Sequence, residues 1–195
     1  LLLDPDDVSA GAHTSELIVA VEEAFAAYER GDIKMPAKSY IDLPEYNGDF
    51  RSMPAYMKAD DWDAAGIKWV NVHPDNPDDH DLPTVLGTMI YSDPTNAVPL
   101  AIMDGTTLTR KRTGAAAAVA TDHLAVADAS TLGIIGAGVQ SYTQLEAISE
   151  VRDIETVVVS DLREEAIERF IDRFGDEFDV REGSPAEAAG CDILS

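Results

Sequence analysis

Residues Gly133-Ile-Ile-Gly136-Ala-Gly138-Val-Gln-Ser141 form a short apolar run that leads directly into a glycine turn. Gly136 permits the tight turn, and Gly138 removes a Cβ that would hold a phosphate away from the backbone. Ser141 takes the third position, where a small side chain lets the helix and the strand pack closely. A helix that begins here would direct its first N–H groups at an anion. The stretch therefore predicts a dinucleotide-binding strand–turn–helix unit.

The following strand supports this prediction. The run Thr156-Val-Val-Val-Ser160 is β-prone, and Asp161 comes directly after it, 20 positions beyond Ser141. A carboxylate at that position accepts hydrogen bonds from the adenosine ribose and repels a 2′-phosphate, so we expect NAD rather than NADP as the cofactor. Arg163 lies two residues further on. Its guanidinium could offset part of that repulsion or stack on adenine.

The chain is strongly acidic, with 37 Asp and Glu residues against 14 Lys and Arg residues and a net charge of −23. The acidic residues are spread along the chain, with clusters at positions 4–7, 60–63, 75–81 and 164–168. This balance argues against binding to nucleic acid or to an anionic membrane, since both require a positive footprint. We interpret it as a solvated surface adapted to a salt-rich cytoplasm, where self-repulsion is screened.

Cysteine usage and hydropathy favour a cytoplasmic protein. Cys191 is the single cysteine, so the chain cannot form an internal disulfide. No apolar run is long enough to span a membrane, and the N-terminal segment is acidic where a signal peptide is positive. His73 and His80 flank a turn-rich segment whose spacing does not suit a metal site, so we expect no bound metal.

The order of predicted elements indicates an α/β protein with two parts. Residues 1–112 read as an α+β domain, in which an amphipathic helix over 15–30 precedes β-prone runs between 38 and 103. Residues 113–195 read as the N-terminal part of a Rossmann NAD-binding domain, with a parallel sheet entered through an alanine-rich helix over 106–127. Because a complete domain of this type has about six strands, we expect the sequence to be part of a longer chain.

Several spaced segments together carry a family resemblance: Arg51-Ser-Met-Pro-Ala-Tyr56, Lys68-Trp-Val-Asn71, Leu82-Pro-Thr-Val85, Lys111-Arg-Thr-Gly-Ala115 and Gly136-Ala-Gly-Val-Gln140. From about Ala24 to Ser195 the chain resembles the ornithine cyclodeaminase/mu-crystallin family. The resemblance implies a homodimer in which an antiparallel domain forms the substrate pocket and the dimer interface. It also implies that a Rossmann domain brings the nicotinamide to that pocket.

The resemblance assigns substrate roles to two cations. A guanidinium can grip a carboxylate through two parallel hydrogen bonds, and the resemblance implies this role for Arg51. It implies that Lys68 binds the substrate and is the catalytic proton donor and acceptor at the substrate nitrogen, or activates the attacking water. From the residues alone, Arg51 could equally be a surface ion-pair partner, and Lys68 an edge residue with its ammonium in solvent.

Further positions are implied to bind the cofactor. Arg112 would lie near the phosphates or near the nicotinamide and the substrate carboxylate, and Thr84 near the nicotinamide end. Val139 and Gln140 would contribute backbone contacts at the pyrophosphate. The family also uses a second proton-handling carboxylate from a later part of its Rossmann domain, which we expect beyond residue 195.

These assignments predict an NAD-dependent oxidoreductase that acts on an amino acid or an imine. The stretch from Lys68 to Thr84 resembles archaeal members that oxidise L-alanine reversibly to pyruvate and ammonia. An alternative within the family is ornithine cyclodeaminase, which converts L-ornithine to L-proline and ammonia. A further alternative is a ketimine reductase that also binds small ligands, as mu-crystallins do.

Overall fold

The computed structural model of the chain describes residues 1–58 and 62–195. Asp60 and Asp61, which belong to one of the predicted solvated acidic clusters, lie outside the described residues. Within the described ranges, no helix combines the length and the apolar character that crossing a bilayer requires.

The chain divides into two compact units. The first unit comprises Leu1–His13 and Glu23–Thr109, and the second comprises Thr14–Glu22 and Arg110–Ser195. Two long helices therefore contribute residues to both units: α2, Thr14–Arg30, and α4, Gly105–Leu124.

The first unit is built on a seven-stranded sheet. Its strands and short helices are β1 (Leu2–Leu3), α1 (Pro5–Gly11), β2 (Ile33–Lys34), β3 (Ser39–Leu43), β4 (Gly48–Lys58), β5 (Asp63–Val72), α3 (Asn76–His80), β6 (Val85–Ser92) and β7 (Pro99–Asp104). The strand order is β1-β7-β6-β5-β4-β2, and β3 also pairs with β4. All pairs are antiparallel except β1 with β7. Strands β3 to β7 correspond to the β-prone runs predicted between residues 38 and 103.

The start of α4 lies directly against the sheet of the first unit. A Cβ on Gly105 would approach the carbonyl carbon of Gly87, in β6, to 2.9 Å. Real Cβ atoms do not come that close to a backbone, so only glycine allows the helix to begin here. The first turn of α4 is thereby held over one face of the sheet.

The second unit contains a four-stranded sheet in which every pair is parallel. Its elements are β8 (Thr131–Ile135), α5 (Val139–Ile148), β9 (Thr156–Ser160), α6 (Glu164–Phe174), β10 (Asp179–Glu182), α7 (Pro185–Ala188) and β11 (Ile193–Leu194). The order β10-β9-β8-β11 is the 3-2-1-4 order of a Rossmann sheet. The predicted fold class, an α+β part followed by a partial Rossmann sheet, is confirmed.

The core of the second unit lies between this sheet and its helices. Leu132, Val157 and Phe170 are fully buried within one cluster of apolar side chains. Helix α6 presents its apolar stripe to that cluster and its charged residues to solvent. Because both faces of a parallel sheet are covered, β9 reads as a continuous valine run instead of an alternating pattern.

The N-terminal acidic cluster has a structural role that the sequence analysis did not anticipate. Asp4 caps helix α1 by accepting hydrogen bonds from the N–H groups of Asp6 and Asp7. Asp7 returns the interaction by accepting from the N–H of Asp4, which completes a capping box. Part of the acidic excess therefore stabilises a helix start.

In the second unit, Arg152 caps the C-terminal end of α4. Its side chain is 12% exposed and pairs with Asp122 at 2.8 Å. Its guanidinium also donates to the backbone carbonyls of Thr121, Asp122, Ala125 and Val126. These carbonyls lie at a helix C-terminus, where the helix itself offers no donors and the dipole favours a cation.

We expect Arg152→Met to lower the free energy of unfolding by about 2–3 kcal/mol, because the carbonyls at the end of α4 lose charge-assisted hydrogen bonds. Urea denaturation of the variant and of wild type measures the difference. Arg169→Met, at an exposed position of α6, is the matched control. A loss for Arg152→Met no larger than that of the control would contradict a stabilising role for this clamp.

Candidate functional site

The glycine turn of the second unit leaves open space above its backbone. The N–H of Gly136 donates to the carbonyl of Ser160 at 2.8 Å, which fixes the turn beside β9. Gly136 has φ of +102°, a conformation that side chains other than glycine rarely adopt. A Cβ added at Gly136 or Gly138 would meet no protein atom within 4 Å. A ligand can therefore approach the backbone here.

Helix α5 begins directly at this turn, with Gly138 as its N-cap. In the part of the chain that the structure describes, the N–H groups of Val139 and Gln140 have no acceptor. The side chain of Ser141 is buried and donates to the carbonyl of Gly138 at 2.6 Å, as a small residue in the third position should allow. The turn and the helix start form an anion site of the kind that holds a pyrophosphate.

Asp161 links the end of β9 to the glycine turn. Its carboxylate accepts hydrogen bonds from the N–H of Arg163 at 2.9 Å and from the N–H of Ala137 at 2.7 Å. The backbone hydrogen bond from Arg163 is the largest of the causes that hold the pKa of Asp161 below its usual value. The carboxylate is therefore ionised at neutral pH, and each oxygen retains a lone pair for a further donor.

Two exposed side chains follow Asp161. The Arg163 guanidinium is 67% exposed and its Nε lies 3.6 Å from the Asp161 carboxylate. Leu162 is fully exposed. Leu162 was not among the predicted cofactor-binding residues, although its position directly after Asp161 could have indicated it. An exposed leucine at this place offers an apolar surface to a planar ring.

The residues of this loop fit a dinucleotide. The open space at Gly136 and Gly138 and the unpaired N–H groups suit a pyrophosphate, and the Asp161 carboxylate suits ribose hydroxyls. Among the described residues, Oε1 of Gln140 is buried without a hydrogen-bond donor. A buried carbonyl oxygen of this kind needs a donor from a ligand or from water.

In the first unit, Arg51 and Lys68 lie on the same face of the sheet. Arg51 pairs with Val70 of β5, and Lys68 pairs with Met53 of β4. Directly paired residues share a face and residues two apart along a strand share it too, so Arg51 and Lys68 are diagonal neighbours. The side chains of such neighbours can reach each other's surroundings.

Arg51 has a carboxylate partner on its own strand. Its Nε and Nη2 atoms donate to Asp49 at 2.9 and 2.6 Å, and its guanidinium lies over the ring of Tyr40 at 5.5 Å. The hydrogen bond from Arg51 is the main cause that lowers the pKa of Asp49. The sequence analysis left an ion pair open for Arg51 but did not single out Asp49. This pair fixes the guanidinium in position and leaves Nη1 outside the pair.

The ammonium of Lys68 reaches the first turn of α4. Its Nζ lies 3.4 Å from Oγ1 of Thr109, within the first unit. Lys68 is half-buried, and its neighbours on the adjacent strands are Met53 and Met89. Methionine side chains thus flank the lysine on both neighbouring strands, and its ammonium contacts a hydroxyl.

Within the first unit, Thr84 lies apart from this pair. Thr84 precedes β6, and its carbonyl accepts the N–H of His73 at 2.8 Å. It is five residues before Met89, the partner of Lys68, or about 17 Å along the strand. Its predicted role at the nicotinamide stays a prediction.

Arg112 lies in the part of α4 that belongs to the second unit. The side chain is exposed, yet enough protein surrounds it that desolvation lowers the pKa of the guanidinium, which still remains charged at neutral pH. Within residues 1–58 and 62–195 no carboxylate pairs with it. In so acidic a chain, a cation without a carboxylate is suited to an external anion.

His73 has a packing role. Its Nδ1 lies 3.0 Å from Nδ2 of the buried Asn71, and its ring packs edge-on against Phe50. The described residues contain no group of three or more His, Cys, Asp and Glu side chains arranged to hold a metal.

Comparison with known proteins relates these features to characterised enzymes. The chain is 43% identical over 195 residues to alanine dehydrogenase of Archaeoglobus fulgidus, and it covers 58% of that protein. It superimposes with a TM-score of 0.92 and 42% identity on the structure of an archaeal alanine dehydrogenase dimer with bound NAD, covering 59% of that chain. It superimposes with a TM-score of 0.93 and 38% identity on Thermococcus litoralis Δ1-pyrroline-2-carboxylate reductase in complex with NADH and L-proline, covering 60% of that chain.

These matches span the whole of this chain and less than two thirds of each relative. The same range of residues, 2–195, matches the sequence model of a single family. The Rossmann strand order of the second unit agrees with that match. The chain belongs to the ornithine cyclodeaminase/mu-crystallin family.

Proposed function

We propose that the intact protein is an NAD-dependent oxidoreductase that interconverts an amino acid and its imine. The leading reaction is that of an alanine dehydrogenase, in which L-alanine, NAD⁺ and water give pyruvate, ammonium, NADH and a proton. The observation that carries this proposal is the placement of Arg51 and Lys68 as diagonal neighbours on one sheet face. The 43% identity to an alanine dehydrogenase supports it.

The two cations divide the work on the substrate. Arg51, positioned by Asp49, binds the α-carboxylate through the donors that Asp49 does not use. Lys68 donates and accepts the proton at the substrate nitrogen, or activates the water that attacks the imine carbon. Its contact with Thr109 holds the amine in place before substrate binds. When bound, NAD⁺ accepts the hydride from the substrate Cα.

The second unit supplies the residues for the cofactor. The N–H groups of Val139 and Gln140 bind the pyrophosphate over the open space at Gly136 and Gly138. Asp161 accepts hydrogen bonds from the ribose hydroxyls and repels a 2′-phosphate, so NAD is the preferred dinucleotide. Leu162 and Arg163 border the adenine, and Arg112 binds a phosphate or a carboxylate with its unpaired guanidinium. Thr84 is kept as a further candidate at the nicotinamide end.

Ornithine cyclodeaminase remains the alternative, since it uses the same carboxylate and amine groups. The two reactions differ in their products. L-Alanine with NAD⁺ gives pyruvate and an equal amount of NADH, whereas L-ornithine gives L-proline and ammonia without net NADH. Product analysis with each substrate in turn identifies the reaction. A ketimine reductase with a ligand-binding role is the third candidate.

We propose that the first unit binds substrate and forms a homodimer, as the predicted domain over residues 1–112 implies. The face of its sheet opposite Lys68 carries three large apolar side chains that are 40–53% exposed: Ile41, Trp69 and Ile102. Monomeric proteins rarely leave such side chains together at a surface, so a second copy is the occupant we favour. The structurally similar archaeal enzyme is a dimer.

We further propose that the protein works in a salt-rich cytoplasm. A net charge of −23 on 195 residues opposes folding and association through self-repulsion. At about 1 M salt the Debye length falls to about 3 Å, which removes most of that repulsion between exposed carboxylates. The function and assembly assays below are therefore run in molar KCl.

Replacing Lys68 by Met should lower kcat for L-alanine oxidation about 100-fold or more, because the substrate nitrogen loses its proton donor and acceptor. The dissociation constant of NADH, measured by fluorescence titration, should stay the same. Lys58→Met, at an exposed position of β4, is the matched control and should keep wild-type turnover. Unchanged turnover in Lys68→Met together with altered ligand affinity would favour the ligand-binding alternative.

Replacing Asp161 by Asn should shift the ratio of NADH to NADPH affinity towards NADPH by about tenfold or more, because the charge that repels a 2′-phosphate is removed. The amide oxygen can still accept from Ala137, so the glycine turn keeps its support. Binding of both dinucleotides is measured by titration. Asp153→Asn, at an exposed position in the same unit, is the control. An unchanged ratio would show that Asp161 does not select the cofactor.

Sedimentation analysis in about 1 M KCl should show a dimer for wild type and a monomer for Trp69→Glu, because a buried unpaired carboxylate opposes association. Tyr46→Glu, at a position 68% exposed in the first unit, should remain dimeric. Lowering the salt should weaken association and lower the unfolding temperature of wild type. Greater stability without salt would contradict the proposed adaptation.

A further inference from the structure

An open cavity of about 320 Å³ lies in the first unit on the face of the sheet that carries Lys68. Its floor is formed by small residues, among them Ala55 and Gly66, and its walls by the side chains of Met53, Met57, Met89 and Met103. Leu108, in the first turn of α4, closes one side. Nothing in the proposed function uses this space.

The cavity continues the line that Arg51 and Lys68 begin. Along β4, Arg51 is followed on the same face by Met53 and then by Ala55. Along β5, Lys68 is followed in the same direction by Gly66, which pairs with Ala55. The cavity therefore begins beside Lys68, at its strand neighbours Met53 and Met89, and extends one same-face step, about 7 Å, to Gly66 on the side away from Arg51.

This order matches the order of groups in an amino acid. A carboxylate held by Arg51 and a nitrogen at Lys68 leave the side chain to extend towards Ala55 and Gly66. Leu108 is also the residue before Thr109, which holds the Lys68 ammonium, so the wall of the cavity and the amine are fixed by the same turn of α4.

The lining is almost wholly apolar, with Tyr91 as the one residue that carries a side-chain hydroxyl among the described lining residues. No charged side chain lines the cavity among the residues that the structure describes. An ammonium placed against this apolar lining would find no carboxylate to pair with, whereas an alkyl chain would bury apolar surface. Methionine side chains adapt to ligands of different shape and offer polarisable surface to alkyl groups. The cavity thus favours an uncharged alkyl chain over the second amine of a diamino acid.

The volume of the cavity indicates a substrate side chain larger than the methyl group of alanine. A water molecule occupies about 30 Å³ in the liquid, so the cavity could hold about ten of them. The methyl group of alanine would fill only a small part of it. Each additional buried methylene should improve recognition about fourfold through the hydrophobic effect.

We propose that this cavity receives the side chain of the substrate, and that the preferred substrates are 2-amino acids with an unbranched apolar side chain of about three carbons, or the corresponding 2-oxo acids in the reverse reaction. This inference rests on the proposed function and specifies the substrate class of the same site. It places L-alanine as an accepted but poorer substrate and excludes L-ornithine and L-lysine.

The test is reductive amination by the intact protein in about 1 M KCl, with NADH, ammonium and either pyruvate or 2-oxopentanoate. We expect kcat/KM for 2-oxopentanoate to exceed that for pyruvate about tenfold, as two added methylenes predict. L-Ornithine and L-lysine should give no product in the same buffer with NAD⁺.

Ala55→Leu places a larger apolar group on the floor of the cavity and should lower the ratio of kcat/KM for 2-oxopentanoate to that for pyruvate about tenfold. Because the readout is a ratio within one protein, a general loss of active enzyme does not affect it. Ala26→Leu, the same substitution at an exposed position of α2, should leave the ratio at its wild-type value.

The outcomes distinguish a failure of the cavity assignment from a failure of the proposed function. Turnover with pyruvate preferred over 2-oxopentanoate, or an unchanged ratio in Ala55→Leu, overturns the assignment of the cavity and leaves the oxidoreductase intact. Efficient use of L-ornithine overturns it as well and favours the cyclodeaminase. Absence of turnover with every 2-oxo acid and every amino acid overturns both the assignment and the proposed function.

Discussion

The antiparallel pairing of β4 with β5 is the constraint on which the candidate substrate site depends. The register runs without interruption from the pair Asp49–Val72 to the pair Lys58–Asp63. A slip of one residue would move Arg51 or Lys68 to the opposite face, because side chains alternate along a strand. The same register places the methionine-walled cavity beside Lys68. Position in the ladder, more than any single contact, brings Arg51 and Lys68 together.

A second constraint operates at the glycine turn. Asp161, the residue proposed to bind the ribose, hydrogen-bonds the backbone of the turn through Ala137. The residue proposed to select the dinucleotide therefore also supports the loop that is proposed to bind its phosphates. An acidic side chain in this position has two physical reasons to be there, and only one of them concerns the ligand.

Only some of the charged residues have a defined structural role. Most carboxylates are solvated, but Asp49, Asp161 and the N-cap Asp4 each take a defined hydrogen-bonding role. Lys and Arg residues are few, and two of the arginines differ in their partners. Arg152 closes a helix end, whereas Arg112 has no carboxylate partner in the described part of the chain. A strongly acidic surface thus coexists with a cavity that has no charged lining.

The sequence alone was sufficient for much of the fold. Strand β9 matches the predicted run Thr156–Ser160, and helix α2 begins one residue before its predicted start. Periodicity and glycine placement are local signals, and they act within a few residues of the elements they define. The dinucleotide-binding turn was readable for the same reason, since Gly136, Gly138 and Asp161 stand at a fixed spacing.

Only the tertiary structure decided which side chains are neighbours in space. The position of Lys68 beside Arg51, the contact of Lys68 with Thr109 and the cavity between the methionines depend on strand register and on where α4 begins. The contact of Lys68 with Thr109 joins residues 41 positions apart, and the cavity lining joins residues still further apart in sequence, so no local pattern encodes them. The sequence by itself thus determined the elements and the chemistry available, whereas the side-chain neighbours were set by long-range packing.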